Sequence, residues 1–259
     1  METRQVTRNQ SMAKMLLTWQ AMVDAADSYT GRKRSVSGLV GGDGMKMRQY
    51  AIRGEALSGG YVSEVITEAL SMAESNACMR RIVAAPTAGA CGVLPAVMLP
   101  LCKYEELNQH QILEALYVAS GIGAVIAYRA CIAGASGGCQ AEIGTASAMA
   151  AGALVALRGG TGAQIGHAVA MALKNLLGLV CDPVAGLVEI PCVKRNVIGA
   201  MNALSAAEMA LAGIGSAKGV GLAGPAASTA GVALASWFLF SGRWLKDKTG
   251  ISRDTELSE

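Results

Sequence analysis

The chain has 259 residues, with 22 Lys and Arg against 19 Asp and Glu and a net charge of +3. So small an excess, carried by scattered basic residues, excludes a nucleic-acid footprint. The length allows a sizeable buried core, and with 52% hydrophobic but only 4% aromatic residues that core must be built from Ala, Val, Leu, Ile and Met in closely spaced helices.

Residues 8–29 set Met12, Met15, Leu16, Trp19, Met22 and Val23 at steps of three and four, which predicts an amphipathic helix. Residues 31–50 are Gly-rich with Lys and Arg on both sides, and are expected to form a loop, either substrate-touching or simply exposed. A helix is expected over 60–76. Residues 82–92 are irregular because Pro86 and Gly89 interrupt a helix, and a helix restarts near Gly92 and runs to Lys103. Asn108 with Gln111 has the form of a reciprocal N-cap, opening a helix that reaches Cys131. Residues 134–139, GASGGC, are expected as a loop before a small-residue helix ending at Leu157. Thr161 with Gln164 has capping-box form and opens a helix ending near Gly178.

Residues 181–192, punctuated by Pro183, Gly186 and Pro191, are expected as a loop. Helices follow over 193–211 and 225–245, and the polar tail, 246–259, is expected to fray. Strand-like alternation is nearly absent, and there is neither a repeat nor a composition break. The expectation is therefore an all-α fold: a single helical domain over residues 1–259 whose Gly/Pro-rich loops form the site.

The mean hydropathy of +0.38 raises the question of a membrane span. The uncharged run 220–240 is the closest candidate, but Gly- and Ala-rich helices of a packed core read the same way. The first twenty residues form a mixed polar pattern rather than a cleavable leader, so the expected compartment is the cytoplasm, with no membrane. Seven cysteines, an odd number with no CxxC pair, suit reduced thiols.

A bare cysteine is usually a small packing residue, and Cys78, Cys102 and Cys131 fit that reading. Cys139, Cys181 and Cys192 differ in setting. Cys139 follows two glycines at a helix start, where amides and the helix dipole favour a thiolate. Cys181 and Cys192 bracket a Pro/Gly loop able to bring backbone amides to a cluster's sulfurs. Three thiolates can hold a metal cluster and leave one corner open. Their spacing is not a zinc-finger pattern, and His110 and His167 lack a partner at metal-ligand spacing. The stretch 38–46 lacks the Ser or Thr that a phosphate loop needs after its Lys. It offers Lys46 as a base or carboxylate contact. In 87–92, TAGACG, Thr87, Ala88, Gly89 and Ala90 present consecutive backbone amides suited to an α-carboxylate.

Four motifs in order, SGLVGGDGMK, APTAGACGVLPAV, SGGCQAEIG and CDPVAGLVEIPCVKRN, make residues 37–200 similar to the iron-sulfur L-serine dehydratases, specifically their alpha chain or domain. The resemblance implies a helical domain that holds a [4Fe-4S] cluster through Cys139, Cys181 and Cys192. A fourth iron would be free to act as Lewis acid on the serine hydroxyl. It implies conversion of L-serine to pyruvate and ammonia. It also implies a separate beta chain in a hetero-oligomer, because nothing here matches the Ser/His-rich second domain of single-chain members. Some members end in a cysteine that covers the open iron, whereas this sequence ends in TELSE. The alternatives are a related cluster-dependent L-cysteine desulfidase and, from another class, a small-residue helical membrane or scaffold protein whose cysteines only pack.

Overall fold

A computed structural model of the chain describes residues 6–184, 186–187 and 189–216. Its helices are α1 Arg8–Asp27, α2 Asp43–Ile52, α3 Gly59–Ala77, α4 Val93–Tyr104, α5 Gln109–Arg129, α6 Gly134–Leu157, α7 Gly162–Asn175 and α8 Ile190–Leu211, with a 3-10 turn at Ala88–Ala90. Among the described residues the strand-like pairing is a single isolated bridge between Val184 and Leu187. The fold is all-α, as expected. The predicted helix 225–245, the run 220–240 and the tail 246–259 lie outside the described residues.

Local chemistry sets several helix starts. Thr7 with Gln10, Asn108 with Gln111, and Thr161 with Gln164 each form a reciprocal capping box, satisfying amides that the first turn leaves unpaired. Helix α6 is the centre of the bundle and packs against α4, α5, α7 and α8. Ala141, Ala146, Ala148, Ala150, Ala151 and Ala153 are all fully buried along it. Small residues let the neighbouring axes come close. A Cβ on Gly199 of α8 would sit 2.7 Å from Ile143 Cγ2, so the α6–α8 contact that later carries the site depends on that glycine. Around this seam Met72, Leu94, Met98, Leu116 and Ile143 fill the interior, each contributing about 1.5–3 kcal/mol by its burial.

Three stretches differ from expectation. Residues 43–50 were expected to lie in a loop but form most of α2, because its cap comes from a distant element. The Glu74 carboxylate of α3 accepts from the backbone amides of Gly42, Asp43 and Gly44 at 3.1, 2.7 and 3.3 Å, and also from the Tyr29 hydroxyl. Burial, followed by this contact, raises the Tyr29 phenol well above its usual range. Second, residues 134–137 are a helical turn joined to the rest of α6 across Gly138, at φ 72° and ψ −175°, backbone that glycine alone tolerates cheaply. Third, α8 begins at Ile190 with Pro191 in its first turn, where a missing N–H costs nothing. Cys192 is therefore helical.

By length and composition α5 is the one helix among the described residues apolar enough to cross a membrane. One face of it is packed in the bundle through Ile112, Leu113, Leu116, Ala119, Gly123 and Ile126.

Two outcomes follow from this packing. Glu74→Ala strands the amides of Gly42, Asp43 and Gly44, two of them buried, and the Tyr29 hydroxyl, and is expected to cost about 3 kcal/mol or more in urea unfolding; Glu74→Gln, which keeps an acceptor, costs less. Gly138→Ala is expected to lower the unfolding free energy by about 1–3 kcal/mol through backbone strain alone, read as an earlier denaturant midpoint.

Candidate functional site

The kink at Gly138 places Cys139 at the start of the long straight part of α6. The Gln140 amide then donates to the Leu179 carbonyl at 2.7 Å, and the Gln140 side chain accepts from the Gly178 amide at 2.9 Å. These two bonds seat the segment leading to Cys181 against the helix that carries Cys139.

The first turns of α8 bring in the third thiol. Arg195 is 8% exposed; its Nη1 donates to Cys139 Sγ at 2.8 Å, and its Nη2 pairs with the carboxylate of Asp182, next to Cys181. Asn196 is fully buried. Its Nδ2 donates to the carbonyls of Cys192 and Gly89, both at 2.8 Å, and its Oδ1 accepts from the Gly92 amide at 2.9 Å. Two consecutive residues of one helix thus bind the segments of Cys139, Cys181 and Cys192 and the TAGACG turn to each other.

All three thiols line one cavity of about 510 Å³, together with Gly89, Gly134, Glu142, Glu189 and Asn196. Cys139 is buried, Cys192 half-buried and Cys181 exposed. The Cys192 thiol donating to Cys139, and then the Arg195 guanidinium, hold Cys139 well below the ordinary thiol range against the opposing effect of burial. That same contact with Cys139 and desolvation push Cys192 strongly up. Cys181 is raised by desolvation and then by the charge of Cys139. Ionisation is therefore favoured at Cys139, and further ionisation at its neighbours is opposed until a cation joins them.

The donor chemistry, three thiols and one buried guanidinium, fits an iron-sulfur cluster. No group of His, Cys, Asp and Glu among the described residues is arranged to enclose one metal ion. A larger cavity of about 840 Å³, lined by Tyr117 and Gln111 among others, has only Arg8 and Glu114 as charged groups and no thiol.

Of the carboxylate-binding candidates, Gly89 lines the cysteine cavity. Thr87 reaches it through its hydroxyl, which donates to Glu142. Ala88 opens the short turn, and Ala90 is fully buried. Lys46 lies on α2, its side chain 73% exposed, and pairs with Asp43 at 2.9 Å. The other oxygen of Asp43 takes Lys194 at 2.6 Å, and the hydrogen bonds from Lys194 and Lys46 hold the Asp43 carboxyl below its usual range. Lys46 is not among the residues lining the cysteine cavity.

The remaining cysteines and both histidines stand apart from that cavity. Cys78 and Cys131 reach the carbonyls of Lys33 and Ala133, and Cys102 packs against the core. Cys91 is fully buried, its thiol on the Met72 carbonyl and pushed up to about 12 by burial. His110 pairs with Glu114 at 3.5 Å, and His167 contacts Ser216 at 3.2 Å.

Sequence reasoning did not single out Glu142, Glu189, Arg195 or Asn196. A signal existed for three of them. Glu142 follows Cys139 by three residues, and Arg195 and Asn196 follow Cys192 by three and four, the spacings that share a helix face. For Arg195 and Asn196 it became readable only once Cys192 was known to be helical.

Residues 1–231 match the family described as Serine dehydratase alpha chain. The chain is 45% identical over 214 residues to a protein of Bacillus subtilis (strain 168) named "Probable L-serine dehydratase, alpha chain", covering 83% of this chain and 71% of the relative. It is 50% identical over 151 residues to a protein of the same name from Latilactobacillus sakei, covering 58% and 72%. Against "L-serine dehydratase 2" of Escherichia coli (strain K12) the identity is 47% over 144 residues, covering 55% of this chain but 32% of the relative, so the match spans about a third of that longer protein. With thiols from α6, α8 and the loop between α7 and α8 drawn to one cavity, and with most of its length matched by the family, the chain belongs to the serine dehydratase alpha chain family.

Proposed function

We propose that this chain is the alpha subunit of an L-serine dehydratase, a cytoplasmic lyase that converts L-serine to pyruvate and ammonia together with a separate beta chain. Cys139, Cys181 and Cys192 hold its [4Fe-4S] cluster. The observation that carries this reading is the convergence of the three thiols on one cavity, with the Arg195 guanidinium on Cys139.

Serine's α-hydrogen is weakly acidic and hydroxide is a poor leaving group, so both departures need help. When bound, the cluster supplies a Lewis acid for the departing hydroxyl. The chain supplies the rest of the setting. Arg195 offsets thiolate charge, and Asn196 fixes the TAGACG turn relative to Cys192. The amides of Ala88, Gly89 and Ala90 are the proposed seat of the substrate carboxylate; Thr87 contributes at the same turn by holding Glu142. Lys46, outside the cavity lining and paired with Asp43, is retained as a second carboxylate contact or base, to be tested by substitution. Loss of water from serine leaves 2-aminoacrylate, which tautomerises and hydrolyses to pyruvate and ammonia.

Purified anaerobically, the chain is expected to be brown and to carry about four irons, lost in each of Cys139→Ala, Cys181→Ala and Cys192→Ala. Mixed with its beta chain it is expected to release pyruvate from L-serine in preference to sulfide from L-cysteine; a colourless protein with no iron after reconstitution overturns the proposal. Arg195→Met is expected to weaken iron retention about tenfold or more, as loss of an outer-shell partner does, with partial recovery in Arg195→Lys. Lys46→Ala with full turnover and an intact cluster would remove Lys46 from the mechanism.

A further inference from the structure

Glu142 is a half-buried carboxylate on α6, one turn beyond Cys139, and it lines the cavity shared by the three thiols. Its Oε1 accepts the Thr87 hydroxyl, its one hydrogen bond among the described residues. The Arg195 guanidinium is already engaged with Cys139 and Asp182. No described Lys, Arg or His pairs with Glu142. It is a carboxylate facing a cavity without a counter-ion.

The backbone has been drawn close to it on two sides. A Cβ on Gly89 would stand 2.7 Å from both carboxylate oxygens, and one on Gly134 would stand 2.8 Å from Oε2. A side chain at either position would collide with the carboxylate. Thr87 holds Oε1, and Oε2 has no hydrogen-bond partner among the described residues. Glu142 thus offers the cavity an oxygen that has no Lys, Arg or His beside it among the described residues.

We propose that Glu142 receives the α-ammonium group of the amino-acid substrate, making it the residue that selects zwitterionic 3-hydroxy acids over their uncharged or deaminated analogues. This rests on the dehydratase reading given above. The contact involves no bond change: the ammonium stays protonated against Oε2, while the carboxylate of the substrate faces the turn of Ala88–Ala90 across Gly89. Thr87 is a positioning residue that acts through Glu142.

The test uses the cluster-loaded chain with its beta chain, and titrates L-serine and L-glycerate by calorimetry beside the steady-state assay. L-Glycerate keeps the hydroxyl and carboxylate but lacks the ammonium. In Glu142→Gln, iron content and cluster absorbance are expected to match the wild type. Serine affinity is expected to fall about 30-fold or more, the scale expected when one partner of a desolvated charge pair is removed, whereas glycerate affinity stays unchanged or improves. Glu142→Asp, which keeps the charge, recovers part of the loss, and Thr87→Val raises the serine KM more than it lowers kcat. Unchanged serine affinity in Glu142→Gln, or a fall in kcat with KM unmoved, overturns the assignment. A wild-type protein that holds iron and binds serine keeps the dehydratase reading intact in that case. Absence of both iron and serine binding from the wild type sinks that reading and this one together.

Discussion

Three cysteine sulfurs held around one cavity repel one another as they ionise, and the arrangement depends on the Arg195 guanidinium that sits on Cys139 and reaches Asp182 beside Cys181. A single buried cation there does two things. It stabilises the first thiolate, and it ties α8, which carries Cys192, to the other two cysteine segments. A planar guanidinium suits this better than an ammonium, because its fork can serve a sulfur and a carboxylate at once. The adjacent Asn196 extends the same helix's grip to the carbonyls of Cys192 and Gly89 and the amide of Gly92.

That grip is possible because the helices beneath it lie close. Alanines along α6 and Gly199 on α8 let the two backbones approach until Ile143 meets the glycine's face. At the end of this seam the regular ladder is broken on purpose: Gly138 turns the chain so that Cys139 starts a new helical run, and Gln140 clamps the 178–179 segment to it. A tightly packed interior thus supports an irregular rim. The packed seam fixes where α6 and α8 present Cys139 and Cys192 to the cavity.

The sequence announced the helices whose starts are encoded locally. Thr7, Asn108 and Thr161, each with a Gln three residues on, carry their caps with them, and α3, α4 and most of α6 follow from apolar content and glycine or proline breaks. Helix α2 was invisible because its cap, Glu74, lies on another helix and meets the amides of residues 42–44 only after folding. The early start of α8 was obscured by Pro191, which marks a break in a loop and equally opens a helix. For the site, glycine-rich context singled out the three cysteines, and the ordered motifs added the resemblance. Arg195 and Asn196 stayed hidden because their meaning is their distance from Cys192, which had been read as part of a loop before the helix began, whereas Glu142 lay on an expected helix and its spacing from Cys139 was simply not used. Lys46 drew notice from its glycine-rich neighbours; those glycines serve the Glu74 cap, and Lys46 itself pairs with Asp43 on the exposed side of α2.

The central claim is that three thiolates of this chain hold a cluster with one corner left for substrate. Mössbauer spectroscopy of the chain reconstituted anaerobically with 57Fe and joined to its beta chain tests it most directly. The account predicts about four irons, one of them spectroscopically distinct and shifted when L-serine is added. Four equivalent sites indifferent to serine, or no bound iron, would contradict it.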